Sequence, residues 1–195
     1  MRRRYFSFTP FIDSLFCCLL MLIAILFLLK TEDKSQKAPL PNVLYQVILT
    51  WDGESDDDHD LWVKAASGHI VSFNNREGGQ GSLVSLNHDA LGRARNNNIP
   101  DENGVVANMN EEVVSFRGVV EGENIVNVHT YLKVDKSPTK VMVKLIKIKP
   151  YQEIIIKEKL LSFTGEEKTF FRFKTDKQGN ITEISELPII LTRPY

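Results

Sequence analysis

The strongest pattern in the chain is an unbroken apolar run from Leu15 to Leu29, LFCCLLMLIAILFLL, with Phe11 and Ile12 extending it on the far side of Asp13. A helix from Pro10 to Lys30 would be ~31 Å long at ~1.5 Å per residue, about the hydrocarbon thickness of a bilayer. Thr9-Pro10 is a favourable start, with Thr as N-cap and Pro at the first helical position. Residues 31–42, TEDKSQKAPLPN, are polar and carry two prolines. They read as a semi-rigid exposed linker, able to span at most ~40 Å at ~3.4 Å per residue.

After Asn42 the period shortens to two. Val43, Tyr45, Val47, Leu49 and Trp51 alternate with Leu44, Gln46, Ile48 and Thr50, as in a strand with one strongly buried face. Leu61–Ala65 and His69–Phe73 follow, joined by a turn through Ser67-Gly68. Residues 125–134 and 139–149 are expected to pair across a turn at Asp135–Pro138. Residues 152–161 and 168–174 are further strands, and Asp176–Asn180 signals a hairpin into 181–184. The expected fold is mainly β: a single N-terminal transmembrane helix followed by an antiparallel β-sandwich of roughly seven to nine strands. The organisation is a cytoplasmic tail (1–9), the helix (10–30), the linker (31–42) and the sandwich (43–195). The Gly- and Asn-rich stretch 74–110 has little periodicity. It reads as the longest irregular region, where binding sites concentrate on a rigid scaffold.

Charge changes this picture in two ways. The net charge of -1 argues against a general nucleic-acid binder, which needs a basic patch. Its distribution is uneven: residues 1–30 hold four of the 24 basic residues (Arg2, Arg3, Arg4, Lys30) and one of the 25 acidic ones (Asp13). By the positive-inside rule the N-terminus is cytoplasmic and residues 31–195 lie outside. The long apolar run and the lack of a small-x-small site before Lys30 favour an uncleaved anchor over a signal peptide. The two cysteines, Cys17 and Cys18, are adjacent within the run, which excludes a disulfide scaffold and a Cys-based zinc site in the outer part.

Asp13 is the informative residue of the helix. At ~100° per residue, Cys17, Leu20 and Ala24 lie within about 40° of it. A face of small residues and an acid suits contact with other helices, where an acid can take up and release protons. The plainer alternative is an acid close enough to the helix start to reach headgroups or water. The stretch Thr9-Pro10-Phe11-Ile12-Asp13, after a basic tail and before one apolar helix, resembles the N-terminus of ExbD/TolR proteins. That resemblance covers about residues 5–30. It implies a helix inserted in the pore of a pentameric ExbB/TolQ-type polytopic partner, two copies per pentamer, and Asp13 as the proton carrier of an ion-driven motor in the bacterial inner membrane. The family's outer domain is a small α/β fold, and no such alternation is visible here.

The outer part carries a second resemblance. Trp51, then Asp58-His59-Asp60-Leu61-Trp62-Val63, Gly68-His69-Ile70, Gly79 with Gly81, Leu83, Asn87-His88-Asp89, Glu121-Gly122-Glu123-Asn124 and Val126 with Val128 resemble the YfaP-like group of bacterial envelope proteins. This implies a β-sandwich over about residues 45–132. It leaves the strands after Lys140 unexplained.

Asp52, Glu54, Asp56, Asp57, Asp58 and Asp60 cluster where a strand begins. Several carboxylates on a short segment suit calcium, which takes six to eight oxygens in flexible geometry. Asp58 and Asp60 flank one strand position and share a face. Asp89 and carbonyls of the Asn-rich loop are candidates to complete a Ca2+ shell, although EF-hand spacing is missing. A solvated acidic turn is the plainer reading. His59, His69, His88 and His129 lie in different segments without zinc-ligand spacing. Trp51, Trp62 and Phe73 are either core residues or a sugar-binding face, with the core the simpler use. Lys144, Lys147, Lys149, Lys157 and Lys159 read as a solvated face. No catalytic constellation is visible, so the chain is not expected to be an enzyme. Two functions stay open: a motor subunit whose outer domain engages an envelope target, or a tethered module binding calcium, glycan or protein.

Overall fold

The computed structural model describes residues 8–30 (side chains to Ile25), 43–93, 95 and 109–192. The predicted linker and basic tail lie almost wholly outside the described residues, as do residue 94 and residues 96–108 of the Gly- and Asn-rich stretch. Residues Met1–Pro41 and Asn42–Tyr195 form two compact units.

The first unit holds α1, Thr9–Lys30. The Phe8 carbonyl accepts from the Ile12 N–H at 3.1 Å, so the helix opens one residue before the expected start. Pro10 still falls in the first turn, where a missing N–H costs nothing. Every described side chain of α1 is exposed, Cys17, Leu20 and Ala24 on the Asp13 face included. Among the described residues, no helix is long and apolar enough to cross a membrane. The apolar run itself continues through Leu29, beyond the described side chains.

The second unit is a β-sandwich of two five-stranded sheets. Its strands are β1 (Tyr45–Trp51), β2 (Asp58–Lys64), β3 (Ile70–Val71), β4 (Val84–His88), β5 (Asn110–Phe116), β6 (Gly122–Leu132), β7 (Thr139–Lys147), β8 (Gln152–Leu161), β9 (Glu167–Thr175) and β10 (Ile181–Ser185). One sheet runs β4-β5-β1-β7-β8, the other β10-β9-β6-β2-β3. All pairings are antiparallel.

The period-two pattern of β1 is realised as read: Tyr45, Val47, Leu49 and Trp51 are buried, while Gln46, Ile48 and Thr50 are half-buried. They meet Val114, Phe116, Val141, Val143 and Leu145 of their own sheet and Leu61, Val63, Val126, Val128, Phe171 and Phe173 of the other. Each such side chain contributes about 1.5–3 kcal/mol on burial. The Tyr45 hydroxyl donates to the Gly179 carbonyl at 2.6 Å, tying a central strand to the β9–β10 turn.

Three expectations need correction. Among the described residues the strand total is ten, because β4 lies inside the stretch read as irregular and β5, which begins at its last residue Asn110, was not read as a strand. β5 opens on Asn110-Glu111-Glu112, a polar start that hides its inward side chains. β6 and β7 do not pair: β6 lies between β2 and β9, and β7 between β1 and β8. The turn between them crosses from one sheet to the other, since both strands are apolar enough to take central positions. The strands after Lys140 complete both sheets, β7 and β8 on one side and β9 and β10 on the other.

Candidate functional site: a buried carboxylate cluster

The acidic run before and within β2 divides into three groups. Glu54 and Asp56 face Arg93, at 2.8 and 3.5 Å. Asp57 is fully buried and serves the fold. Its Oδ1 accepts from the Val134 and Asp135 N–H groups at 2.6 and 2.8 Å. Its Oδ2 accepts from Lys133 Nζ at 2.7 Å and from the Thr139 hydroxyl. Burial alone would raise its pKa, but these donors outweigh it and hold the carboxyl at about 2.

Asp58 and Asp60 belong elsewhere. Asp60, Asp89 and Glu112 each offer a carboxylate oxygen, and these atoms lie within 4.8 Å of one another. The three come from β2, the segment after β4, and β5, so both sheets contribute. Glu112 alternates in phase with Val114 and Phe116, the core-facing residues of β5. β3 covers β2 only at Val63 and Lys64. Farther along that edge the Leu61 N–H is bound by Glu112 Oε2 at 2.6 Å. Asp89 follows an irregularity in β4 between Leu86 and His88, and its Oδ2 accepts from Arg76. The chain then turns at Gly92, whose φ is +82° and whose added Cβ would lie 2.7 Å from the Asp56 carbonyl oxygen. The Arg93 N–H donates to the Ser55 carbonyl at 2.9 Å, clamping this loop against the acidic segment.

The carboxylates here are costly to ionise. Burial raises Glu112 well above the usual range, with the charges of Asp60 and Asp89 adding to it. Burial likewise raises Asp60, against the opposing pull of His129. Asp58 is pushed up to about 7 by burial and by Asp60, only partly offset by Arg95 at 3.4 Å. Asp58 Oδ1, Asp60 Oδ2, Asp89 Oδ1 and Glu112 Oε1 have no hydrogen-bond partner among the described residues.

Of the sequence-derived Asp58, Asp60 and Asp89, Asp60 and Asp89 lie close together with Glu112, while Asp58 falls outside that close group; residue 94 and residues 96–108 of the stretch invoked for carbonyls lie outside the described residues. Glu112 was not foreseen. The available signal was an acid at an inward position of an alternating segment, but that segment was not recognised as a strand. The histidines do not gather. His59 is buried, edge-on to Trp51 at 5.4 Å and beside the Thr130 hydroxyl at 3.2 Å, and burial lowers its pKa to about 4. His129 Nδ1 lies 3.6 Å from Asp60 Oδ2.

Next to the cluster is a cleft of about 820 Å³ lined by Trp62, Phe73, Tyr131, His129, Asn74 and Thr164 among others. Trp62 and Phe73 therefore line a surface cleft, while Trp51 is a core residue. Phe73 stacks edge-on against Trp62 and Tyr131, at 6.4 and 5.5 Å between centroids. Of the lysines read as a solvated face, Lys157 and Lys159 of the outer strand β8 both pair with Glu186, at 2.6 and 3.3 Å.

No family model, curated protein or solved structure matches the chain. The two resemblances rest on the motifs that carry them.

Proposed function

We propose that the chain is an ExbD/TolR-like subunit of a proton-driven inner-membrane motor. Its helix sits in a pentameric ExbB/TolQ-like channel as one of two copies. Its outer β-sandwich lies in the periplasm and engages an envelope target. The observation that carries this reading is the Thr9–Asp13 motif at the opening of a helix that is apolar on every side. Phe11, Leu15, Phe16 and Leu19 are 52–67% exposed. Such a helix requires a cover of lipid or of other helices. Asp13 is the proton carrier, and the Cys17, Leu20 and Ala24 face meets the partner. The test is Asp13→Asn in cells. It is expected to abolish ion-coupled activity while leaving insertion and copurification of a polytopic partner intact; full activity would refute the motor role.

The second reading is a membrane-tethered binding module whose helix is a plain anchor. The buried carboxylates and the adjoining aromatic cleft favour it. It predicts that replacing residues 1–30 by an unrelated single span preserves function, which the motor reading forbids.

A further inference from the structure

We propose that Asp60, Asp89 and Glu112, with Asp58 as a fourth carboxylate, form a Ca2+ site that joins the two sheets of the sandwich along the part of β2 that β3 does not pair. The inference is independent of the motor reading and of Asp13.

The first argument is reach. Three oxygens within 4.8 Å of one another share a point no more than about 2.8 Å from each, close to the ~2.3–2.6 Å of a Ca–O bond. A side-chain adjustment of a few tenths of an ångström closes the difference. The second argument is the missing partners. Asp58, Asp60 and Glu112 are 2%, 3% and 0% exposed, yet each has one carboxylate oxygen without a hydrogen bond among the described residues. Asp58 lies outside the close trio, and Asp60 and Asp89 are among the charges acting on it. A buried carboxylate oxygen facing other carboxylate oxygens needs either a proton or a cation between them.

The donor set selects the cation. All four side chains offer hard oxygen, which suits Ca2+ or Mg2+ over zinc or copper. Mg2+ holds its waters and demands a near-ideal octahedron, whereas Ca2+ accepts irregular carboxylate shells. Largely buried ligands drawn from three separate segments fit the second behaviour. The basic groups already present leave the shell open: Arg76 and Arg95 are 53% and 40% exposed and each reaches one oxygen of Asp89 and Asp58, and His129, 17% exposed, stands 3.6 Å from Asp60 Oδ2, beyond hydrogen-bond distance. Gly92 and Arg93 hold the Asp89 loop against Ser55–Asp57, the segment leading into β2, so the ligand positions are set before the ion arrives.

The test uses the full chain in detergent, stripped with EDTA and then titrated with Ca2+ or Mg2+ alone while thermal unfolding is followed. Ca2+ is expected to raise the melting temperature with an apparent Kd on the order of 10⁻⁴ M, as in extracellular modules. Glu112→Gln keeps an amide oxygen for the Leu61 N–H but removes a ligand charge, and is expected to weaken Ca2+ binding about tenfold or more. Asp60→Asn gives the same readout should Glu112→Gln fail to fold. No response of the folded parent chain to millimolar Ca2+ would overturn the proposal and leave a shared proton between Asp89 and Glu112. A response equal for Mg2+, or unchanged in both variants, would overturn it as well.

Discussion

Asp57→Asn tests whether the buried acid at the entry to β2 is structural. The substitution keeps size and shape but removes the charge. An amide oxygen in the Oδ1 position can still accept from Val134 and Asp135. The amide nitrogen then faces Lys133 Nζ, now 2.7 Å from the Asp57 Oδ2, and donor meets donor. Lys133 is only 6% exposed in its side chain, so its charge is left buried with the Asp135 carbonyl at 2.6 Å as its remaining acceptor. The folded carboxyl sits at about 2 against an ordinary 3.8, a gap worth about 2 kcal/mol. Adding the cost of an unpaired buried ammonium brings the expected loss to about 3–5 kcal/mol. For a domain of this size that lowers the melting temperature by about 6–20 °C.

The pH dependence has a definite sign. The folded pKa is depressed, so the stabilisation is complete above 3.8 and is lost as pH falls toward about 2. An asparagine does not titrate, so the variant lacks that part of the acid limb. The assay is thermal unfolding of the detergent-solubilised chain from pH 7 to 2, followed by tryptophan fluorescence. Trp51 donates its indole N–H to the Asp57 carbonyl at 3.1 Å and reports on the region directly. A variant melting within about 1 °C of the parent at pH 7, where a lost buried ion pair should cost several degrees, would refute the argument.

Two further outcomes follow from the same segment. In EDTA, Asp58 binds a proton in the folded state below about 7 but in the unfolded state only below its ordinary 3.8. Asp58 should therefore add stability to the calcium-free chain as pH falls from 7 toward 4, while His59, held at about 4 against an ordinary 6.5, removes stability over the same range; the Asp58 part is read as the difference between parent and Asp58→Asn thermal melts across that range, and identical pH profiles would contradict the reading. Gly92→Ala places a Cβ 2.7 Å from the Asp56 carbonyl oxygen at a φ of +82°; it should cost about 1–3 kcal/mol and speed hydrogen exchange at residues 89–93, and unchanged exchange would count against the clamp.

The fold was legible wherever one face of a strand was strongly apolar. β1, the β2–β3 hairpin and the β9–β10 hairpin followed from alternation and from Gly68 and Gly179 in their turns. β4 and β5 were not legible for opposite reasons. β4 is a short outer strand whose Asn87 and His88 are exposed, so it has only a brief apolar face to display. β5 is central, but Glu111 and Glu112 precede its valines and mask the period. The pairing of β6 with β7 failed because sequence adjacency suggests a hairpin, while in a sandwich a chain can change sheets at a turn. Here Asp57 holds that turn: it binds the backbone of Val134 and Asp135 and the side chains of Lys133 and Thr139.

The same residue explains why the acidic run could be read as a cluster but not sorted. Six acids between Asp52 and Asp60 look alike in sequence, yet successive residues of an extended chain point to opposite sides. Asp57 and Asp58 are neighbours in the chain and belong to different networks: one carboxyl is surrounded by donors and held low, the other faces acids and is held high. What decides between a structural carboxylate and a candidate ligand is the charge of whatever lies across the gap. For Asp57 that is Lys133, 76 residues away in sequence. For Asp60 it is Asp89 and Glu112, the latter on a strand of the other sheet, with His129 opposing them. Spacing within the run supplied Asp58 and Asp60 on one face; only the closure of the sandwich supplies Glu112, and with it the excess of negative charge that calls for a cation.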